Sequence, residues 1–300
     1  MSVRDRTHAI DLISRIKELR PTLRPAERRV ADVVLDDIEF AVGASNAALA
    51  ARAKVSEPSV TRFSRAVGCA GVRDFKMKLG QCLIVGSMYF REPPEPPEKQ
   101  RTGIPFADLV FDHAHKALDF AESQIDETRV LEAIDLISSA TRVFVFGLGG
   151  GSTAIAQDTQ YRLFRYGINV TAYSDVYLMR MVASTLKAGD VVIAISATGR
   201  TEEVLGAALL AQEYHAKVVA LTRPRSALAK AADVALAIDI PEIANVLKPT
   251  ASRYAFMVMV DLLATGCAYR LGADAQEVLR RIKYNLLNFR EGEVLEPLGD

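Results

Sequence analysis

Apolar positions in the first 85 residues recur at the spacing of an α-helix. The first stripe precedes Pro21 and consists of Ile10, Ile13, Ile16 and Leu19, with Leu12 beside it. Pro25 then stands where a second helix would begin, and the inner face of that helix comprises Val30, Val33, Val34 and Ile38. Helical patterns continue at residues 46–53, 58–67 and 72–83 without an intervening strand pattern. These patterns predict an all-α N-terminal region.

A different pattern begins near residue 106. Short apolar runs rich in β-branched residues occur at residues 143–146, 170–173, 191–195, 218–221 and 234–238. Amphipathic helical patterns precede, separate or follow them at residues 106–121, 129–139, 153–166, 201–212, 252–269 and 275–287. Apolar strands that alternate with helices indicate a parallel sheet covered on both faces, with right-handed crossovers. The predicted fold class is therefore α/β, with an all-α N-terminal domain followed by a doubly wound parallel-sheet domain.

A proline-rich segment separates the two patterns. Residues 92–98 read Glu-Pro-Pro-Glu-Pro-Pro-Glu. Because proline lacks an amide donor and restrains the residue before it, we expect a semi-rigid, polyproline-like spacer here. The predicted organisation is a helical domain over residues 1–85, a linker over residues 86–105 and an α/β domain over residues 106–300.

Within the helical domain, residues 47–68 have the pattern of a helix-turn-helix. A short alanine-rich helix ends in the turn Lys54-Val-Ser56. Ser56 can accept a backbone N–H bond as the N-cap of the next helix, and Gly68 can end that helix in a left-handed conformation. In such a motif the first helix braces the second, whose N-terminal face enters the major groove of DNA.

Polar and basic side chains lie on the predicted outer face of the second helix. Serine, threonine and arginine can contact bases or phosphates, and arginine can bind guanine through two hydrogen bonds. The candidate DNA contacts, including the turn, are Lys54, Ser56, Ser59, Thr61, Arg62 and Arg65. Arg73, Lys76 and Lys78 would add attraction to phosphate that weakens with salt. The alternative is a helical oligomerisation domain with solvated arginines.

The charge distribution along the chain fits a DNA-binding domain and ordinary fluctuation in surface charge equally well. The net charge of the chain is zero, but residues 1–80 carry 15 basic and 10 acidic side chains. Residues 43–80 alone carry 7 basic and 2 acidic side chains. A basic module on an acidic body is typical of a polyanion-binding domain joined to a domain with another task.

Two loops of the α/β domain are candidates for phosphate binding. The first is glycine-rich and runs from Gly147 to Ser152, between a predicted strand and a predicted helix. Its candidate contacts are Gly149, Gly150, Gly151 and Ser152, because glycines allow close backbone approach and a helix N-terminus attracts anions. A dinucleotide-binding loop would carry glycine at position 152, with Asp175 at a plausible spacing for a ribose contact.

The second loop, Ser196-Ala-Thr-Gly-Arg-Thr201, follows the strand pattern at residues 191–195. Its candidate contacts are Ser196, Thr198, Gly199 and Thr201, since hydroxyl and N–H groups together can coordinate phosphate without a lysine. Capping of the following helix is the simpler alternative, but one hydroxyl would suffice for that. Both loops follow the carboxyl ends of predicted parallel strands, where open α/β sheets bind ligands.

These segments resemble a known family. The two loops and the stretch from Thr222 to Ser226-Ala-Leu-Ala229 resemble the sugar isomerase (SIS) domain, whose fold is flavodoxin-like. Residues 56–79, with Gly68-Cys-Ala-Gly71 and Phe75, resemble the N-terminal domain of RpiR-family regulators. The two domains in this order cover nearly the whole chain, and the match is most similar to the branch that controls hexose catabolism. Gly151 occupies a position where many family members have serine.

The resemblance implies a homodimeric or homotetrameric repressor, or dual regulator, of sugar-catabolic genes. Its partners would be double-stranded operator DNA and a phosphorylated sugar effector, 2-keto-3-deoxy-6-phosphogluconate in this branch. By position in the family, the phosphate would be held by Ser152, Ser196, Thr198 and Thr201.

SIS domains also occur in enzymes, so a sugar-phosphate isomerase or lyase with an accessory helical domain is the alternative function. Such reactions need a positioned acid or base. The possible groups are Glu202, Glu203, His113, His115 and His215, and no constellation of them emerges from the sequence. We therefore expect a regulator without catalytic residues.

The composition indicates neither cofactor nor metal. Cys69, Cys82 and Cys267 are scattered and form no Cys-x-x-Cys pair, so we expect three plain thiols, no metal site and no cofactor. No apolar run suggests a membrane span, and residues 1–20 lack the core of a signal peptide. We therefore expect a cytoplasmic protein without a membrane partner.

Overall fold

The computed structural model describes residues 11–89, 103–240 and 251–289. Contacts divide the chain into two compact units. The first unit is Met1–Glu95 with Ile243–Lys248, and the second is Pro96–Glu242 with Pro249–Asp300. The predicted polyproline-like segment at residues 92–98 lies outside the described residues.

The described part of the first unit is helical. Its elements are α1 (Leu12–Leu19), a 3-10 turn (Arg20–Thr22), α2 (Pro25–Asp36), α3 (Ile38–Gly43), α4 (Asn46–Arg52), α5 (Glu57–Ala66) and α6 (Val72–Tyr89). Pro25 is the first residue of α2, where its missing N–H has no cost. The last helix continues past residue 85, where we placed the domain boundary.

One detail of the predicted helices is wrong. Ile38 lies in α3 rather than on α2, because Asp37 ends α2 and its carboxylate accepts a bond from the Phe40 N–H at 2.9 Å. In α1, Leu12 and Ile16 are buried, whereas Ile13 and Leu19 are only partly buried. The buried side chains of α1 pack with those of α2, α5 and α6 in one core that includes Phe63 and Phe75.

The second unit contains a five-stranded parallel sheet. Its strands are β1 (Arg142–Gly147), β2 (Val170–Tyr173), β3 (Asp190–Ser196), β4 (Lys217–Thr222) and β5 (Val234–Ala237). The helices are α7 (Pro105–Ser123), α8 (Glu127–Ser139), α9 (Gly150–Phe164), α10 (Val176–Ala183), α11 (Glu202–Glu213), α12 (Ala227–Ala231), α13 (Ser252–Leu271) and α14 (Ala273–Phe289). The strand order β2-β1-β3-β4-β5 is the flavodoxin-like order, so the predicted fold class is confirmed.

Alternating side chains of the strands build two cores. Val145, Ile193 and Val219 lie on the face that packs against α8, α9 and α13. Phe146 and Val192 lie on the other face, against α10, α11 and α12. Since both faces are covered, the strands are apolar along their whole length, which is why they read as continuous apolar runs.

A buried ion pair joins the amino ends of β1 and β3. Asp190 is fully buried, and its carboxylate accepts bonds from Arg142 Nε at 3.0 Å and from the Lys187 N–H at 3.1 Å. Burial alone raises the pKa of Asp190, but these hydrogen bonds outweigh it and hold that pKa below its usual range. The charged pair therefore fastens the edge of the sheet opposite the predicted phosphate loops.

Helix α13 is long and apolar enough to span a membrane by length and composition alone, which we did not expect from the sequence. The core helix of a globular domain passes the same test. Phe256, Met259, Leu263 and Cys267 of α13 are buried in the core between α8 and α9. Its apolar character is therefore accounted for by packing.

Candidate functional site

Helices α4 and α5 form the predicted helix-turn-helix. Between them Lys54 adopts a left-handed conformation (φ 51°), and the Val55 N–H donates to the carbonyl of Ala50 at 2.9 Å. Helix α5 buries Val60 and Phe63, and the Phe63 ring packs edge-on against Phe75 of α6 at 5.5 Å. The second helix is thus fixed by its apolar face.

Most of the predicted DNA-contact residues are accessible. Lys54, Ser56, Arg62 and Arg65 are exposed, and Thr61 is partly buried. Gly68 has the predicted left-handed conformation (φ 84°), and the Cys69 N–H closes the helix end on the carbonyl of Ser64. The exposed set presents three basic side chains around the N-terminal half and the end of α5.

The prediction that Ser59 faces DNA is wrong. Ser59 is only 3% exposed. Its hydroxyl accepts a hydrogen bond from Arg62 Nη2 at 2.8 Å and shares one of 3.0 Å with the hydroxyl of Ser56. Ser56 is at the N-cap position of α5, but its side chain bonds Ser59 rather than a backbone N–H. Ser59 therefore holds an arginine instead of reaching a ligand.

Two lysines that we expected to attract DNA phosphates are engaged within the unit. Lys76 Nζ donates to the carbonyl of Ala44, the residue that ends α3. Lys78 Nζ donates to Asp74 Oδ2 at 2.8 Å, and this bond holds the pKa of Asp74 below its usual range. Arg73 is exposed and is a better candidate than either lysine.

In the second unit, the glycine loop follows β1 as predicted. Gly147 ends the strand so close to α9 that a Cβ there would collide with the carbonyl of Ser152. Gly149 has a positive φ of 86° and precedes the first residue of α9, Gly150. Nothing lies within 4 Å of the position of a Cβ on Gly149, Gly150 or Gly151, so the loop faces open space.

The dinucleotide alternative is not supported by this loop. Asp175, the residue considered for a ribose contact, caps α10 by accepting the Leu178 N–H at 2.9 Å. Ser152 is partly buried in the first turn of α9, where a dinucleotide fingerprint has glycine.

The hydroxyl turn, Ser196–Thr201, follows β3, which is the neighbour of β1 in the sheet. Parallel pairing sets Gly147 opposite Ile195, so the two loops leave adjacent strands at the same level. Ala197, Thr198 and Arg200 of the turn are exposed. Its face toward solvent is therefore open to a ligand.

Ser196 lies deeper than the sequence suggests. It is 2% exposed, and its hydroxyl accepts the Gly199 N–H at 3.1 Å and shares a bond of 3.0 Å with the hydroxyl of Thr201. Thr201 is the N-cap of α11, but its side chain makes no bond to the first turn of that helix. The hydroxyls therefore brace the turn, and the simpler explanation of helix capping is not supported.

A second segment, after β4, completes the turn. Thr222 Oγ1 donates to the carbonyl of Ser196 at 2.7 Å, and the Leu228 N–H donates to the carbonyl of Gly199 at 3.3 Å. Gly199 has a φ of 61°, and a Cβ there would collide with Ser226. We had not placed Thr222 and Ser226 among the site residues, although they belong to the stretch that resembles the SIS domain.

The candidate catalytic groups are dispersed. His113 Nδ1 lies 2.8 Å from the carbonyl of Leu109 within α7, and the His115 ring lies beside Phe111. His215 is exposed in the turn before β4, at the edge of the sheet opposite the hydroxyl turn. Glu202 and Glu203 are exposed in the first turn of α11, where acids are favoured.

The cysteines and acidic residues give no sign of a metal centre. Among the residues that the structure describes, no group of three or more His, Cys, Asp or Glu side chains could hold a metal ion. Cys69 and Cys267 are buried, and burial raises the pKa of both thiols, to about 11 for Cys267. These two side chains are protonated at neutral pH.

A helix-turn-helix domain followed by a flavodoxin-like domain is the arrangement of a class of ligand-responsive DNA-binding regulators. Residues 10–84 match the helix-turn-helix domain of the rpiR family, and residues 136–266 match the SIS domain. The chain belongs to the RpiR family of transcriptional regulators.

Individual relatives indicate which branch of the RpiR family this chain is similar to. The transcriptional regulator HexR of Escherichia coli is 35% identical over 291 residues, which cover 97% of this chain and 99% of HexR. HexR of Pseudomonas aeruginosa is 37% identical over 280 residues, which cover 93% and 97%. These relatives are regulators, which decides against the isomerase or lyase alternative.

A solved structure supports the fold. The solved structure of NanR from Vibrio vulnificus, in complex with ManNAc-6P, superposes on this chain with a TM-score of 0.58. The superposition covers 93% of this chain and 99% of NanR, at 24% sequence identity.

Proposed function

We propose that this protein represses genes of sugar catabolism and that a phosphorylated sugar, bound at the carboxyl edge of the sheet, lowers its affinity for the operator. The main support is the register that brings the glycine loop and the hydroxyl turn side by side, each leading into the N-terminus of a helix. Unpaired amides at helix N-termini attract anions, and phosphate is one of the groups that they bind.

Within this site, we assign the phosphate to the turn Ser196–Thr201 and the loop Gly149–Ser152. Thr198 and Arg200 are exposed and offer the accessible donors of the turn, whereas the Gly199 N–H is bound to Ser196. Ser196 and Thr201 act by keeping that backbone in its conformation. Ser152, in the first turn of α9, is the matching hydroxyl of the glycine loop.

At the other end, we assign DNA binding to the exposed face of α5 and the turn before it. Arg62, Arg65 and Lys54 supply positive charge, and Ser56 and Thr61 supply short polar side chains near the helix N-terminus. An α-helix fits the major groove of B-DNA, and arginine is the side chain that most often reads guanine there. A homodimer would present two such helices to two half-sites.

The effector we propose is 2-keto-3-deoxy-6-phosphogluconate, on the strength of the similarity to HexR. The NanR complex with ManNAc-6P shows that this fold can accept a phosphorylated sugar in a related protein. A homodimeric or homotetrameric assembly, a cytoplasmic location and the domain boundaries at residues 85 and 106 stay predictions.

Regulation requires that the effector bind two arrangements of the protein unequally. A tenfold change in operator affinity corresponds to about 1.4 kcal/mol of coupling between the two sites. A ligand with equal affinity for both arrangements would change nothing, however tightly it bound.

The test begins by selecting preferred duplexes from a random DNA library with the full-length protein. The affinity for the selected duplex is then measured at one fixed salt concentration, with and without 2-keto-3-deoxy-6-phosphogluconate. We expect the effector to weaken binding at least tenfold. Equal affinities with this effector and with a panel of other sugar phosphates would contradict the proposal.

A further inference from the structure

One unpaired acidic side chain lies among the basic residues of the helix-turn-helix. Residues 43–80 contain two acids, and one of them, Asp74, is bound by Lys78 Nζ at 2.8 Å. The other, Glu57, is exposed as the first residue of α5, and within the described part of the chain it forms no ion pair. A carboxylate on a surface that approaches DNA phosphates opposes the attraction that the basic residues supply.

Helix capping does not account for Glu57. The first turn of a helix favours acids, but among the described residues α5 begins without a side-chain cap bond. The bond that the carboxylate does make leads to the other helix of the motif, because Glu57 Oε2 accepts from Asn46 Nδ2 at 3.0 Å. Asn46 is the first residue of α4. The helix dipole explains an acid in this turn, and it does not explain a bond to α4.

Asn46 orients the carboxylate and leaves its charge in place. Asn46 is partly buried, and it begins a helix whose cap is Ser45, which accepts the Ala48 N–H at 3.0 Å. Its amide is a neutral donor, so it cannot neutralise the carboxylate as a lysine would. A carboxylate has two oxygens with about four acceptor sites, so Glu57 can still accept a hydrogen bond from a ligand.

Glu57 lies where the second helix of such a motif contacts bases. The N-terminal residues of that helix reach the base edges in the major groove. Glu57 comes one turn before Thr61 on the same side of α5, and Thr61 is one of the DNA contacts proposed above. Five residues separate Glu57 from Arg62, about 7.5 Å along a helix axis, whereas base pairs follow one another every 3.4 Å or so. The two side chains can therefore reach different base pairs.

Cytosine is the base that a carboxylate matches in the major groove. An ionised carboxylate only accepts hydrogen bonds, and cytosine presents the N4 amino group as a donor there. Guanine presents two acceptors, and thymine presents an acceptor and a methyl group, so both are unfavourable. Adenine has an amino group, but its N7 acceptor lies beside it and repels a negative charge.

We propose that Glu57 reads a cytosine in the operator by accepting a hydrogen bond from its N4 amino group, and that Asn46 is the positioning residue for this contact. The inference rests on the proposed DNA binding by α5 and adds a specificity-determining residue to it. Where the duplex has another base at this position, the carboxylate stays without a donor among phosphates, which lowers the affinity. Glu57 thus raises the specificity of binding more than its strength.

Selection of duplexes from a random DNA library tests which base Glu57 reads. Full-length wild type is compared with Glu57→Gln, since glutamine keeps the shape and can bond both N6 and N7 of adenine. We expect a position at which wild type selects cytosine and the variant shifts towards adenine. Replacing this cytosine by thymine should weaken wild-type binding roughly tenfold in anisotropy at fixed salt. The affinity of Glu57→Gln for unrelated DNA should rise, because a negative charge is removed.

A modified base isolates the N4 amino group. N4-methylcytosine still pairs with guanine, but its methyl group replaces the hydrogen that faces the major groove. We expect it to weaken binding by wild type roughly tenfold and to leave binding by Glu57→Ala unchanged. Asn46→Ala should lose part of the preference for cytosine, and it should add nothing in the Glu57→Ala background, because Asn46 acts through Glu57.

Glu39→Gln is the matched control. Glu39 is an exposed acid in the first turn of α3, outside the helix-turn-helix. We expect both glutamine variants to change the melting temperature alike, and Glu39→Gln to keep the base preference of wild type. If Glu57→Gln selects the same bases as wild type, or if wild type binds cytosine and N4-methylcytosine equally, the reading of cytosine is wrong while DNA binding by α5 stands. If wild type selects no duplex at all, the proposed function is wrong as well.

Discussion

The recognition helix α5 and the hydroxyl turn after β3 each contain a buried serine whose hydroxyl contacts groups nearer to solvent. Ser59 of α5 bonds the side chains of Ser56 and Arg62. Ser196 bonds the Gly199 N–H and the hydroxyl of Thr201. In both regions the serine stands behind the proposed contact surface instead of forming it.

The two regions differ in what depends on that serine. Helix α5 is held by its own backbone bonds and by Val60 and Phe63, so Ser59 affects only how Arg62 is presented. The turn has one backbone bond of its own, from the Gly199 N–H to the carbonyl of Ser196 at 3.0 Å, and its conformation also depends on the hydroxyls of Ser196 and of Thr222 from a neighbouring strand. In α5, the presentation of the contact residues can therefore change while the helix stays folded. In the turn, the contact residues and the fold depend on the same bonds.

Gly199→Ala tests whether the fold of the turn and its ligand binding are coupled, and it has the largest expected effect of the variants considered. A Cβ would meet Ser226 and Thr222 and would strain a residue with a positive φ. We expect the free energy of unfolding of the second unit to fall by about 3 kcal/mol, with loss of effector binding. Urea unfolding and calorimetry measure the two effects.

The matched control is Gly150→Ala in the other loop. A Cβ there has no neighbour within 4 Å, and φ is not positive. We expect no loss of stability, because alanine is a better helix residue than glycine. If both glycine variants were equally stable, the hydroxyl turn would not be more rigid than the glycine loop.

Arg62→Ala should have the next largest effect, this time on DNA. Loss of a base-reading arginine costs about 1–3 kcal/mol of binding free energy and relaxes specificity at one base pair. The selected operator and single-base variants of it, compared by fluorescence anisotropy, measure both quantities. Effector binding should be unchanged, and damage to both functions alike would contradict the division into a DNA reader and a sensor.

Ser196→Ala should weaken the binding of the effector and leave operator binding intact. The variant loses the bonds to the Gly199 N–H and to Thr201, at a cost of about 1–2 kcal/mol in stability. We expect weaker binding of the effector and a smaller response of operator affinity to it. Operator affinity without effector should match that of wild type, which anisotropy at fixed salt can check.

Ser59→Ala should have the smallest effect. The helix remains intact, and Arg62 loses one hydrogen bond worth about 1 kcal/mol or less. We expect a few-fold loss of operator affinity with an unchanged melting temperature. A double-mutant cycle with Arg62→Ala isolates the contact, and additive effects of the two substitutions would show that Ser59 does not act through Arg62.

Much of the site could be predicted from local sequence. The glycines, the three hydroxyls and the preceding apolar runs predicted that two loops follow parallel strands, and the structure shows that these strands are neighbours. The roles of individual hydroxyls could not be predicted in the same way. A serine after a strand may face the ligand or the chain, and only Thr222 and Ser226, which come from a later part of the sequence, decide that for Ser196.

The sequence by itself determined the strands of the sheet, most of the helices, the helix-turn-helix, the left-handed end at Gly68 and the fold class. These features follow from hydrophobic period and from turn residues, which act over a few neighbouring positions. Only the tertiary structure decided that Ser59 is buried, that Lys76 binds the end of α3, and that Thr222 bonds the carbonyl of Ser196. The physical reason is that burial and hydrogen-bond partners depend on segments far apart in the chain.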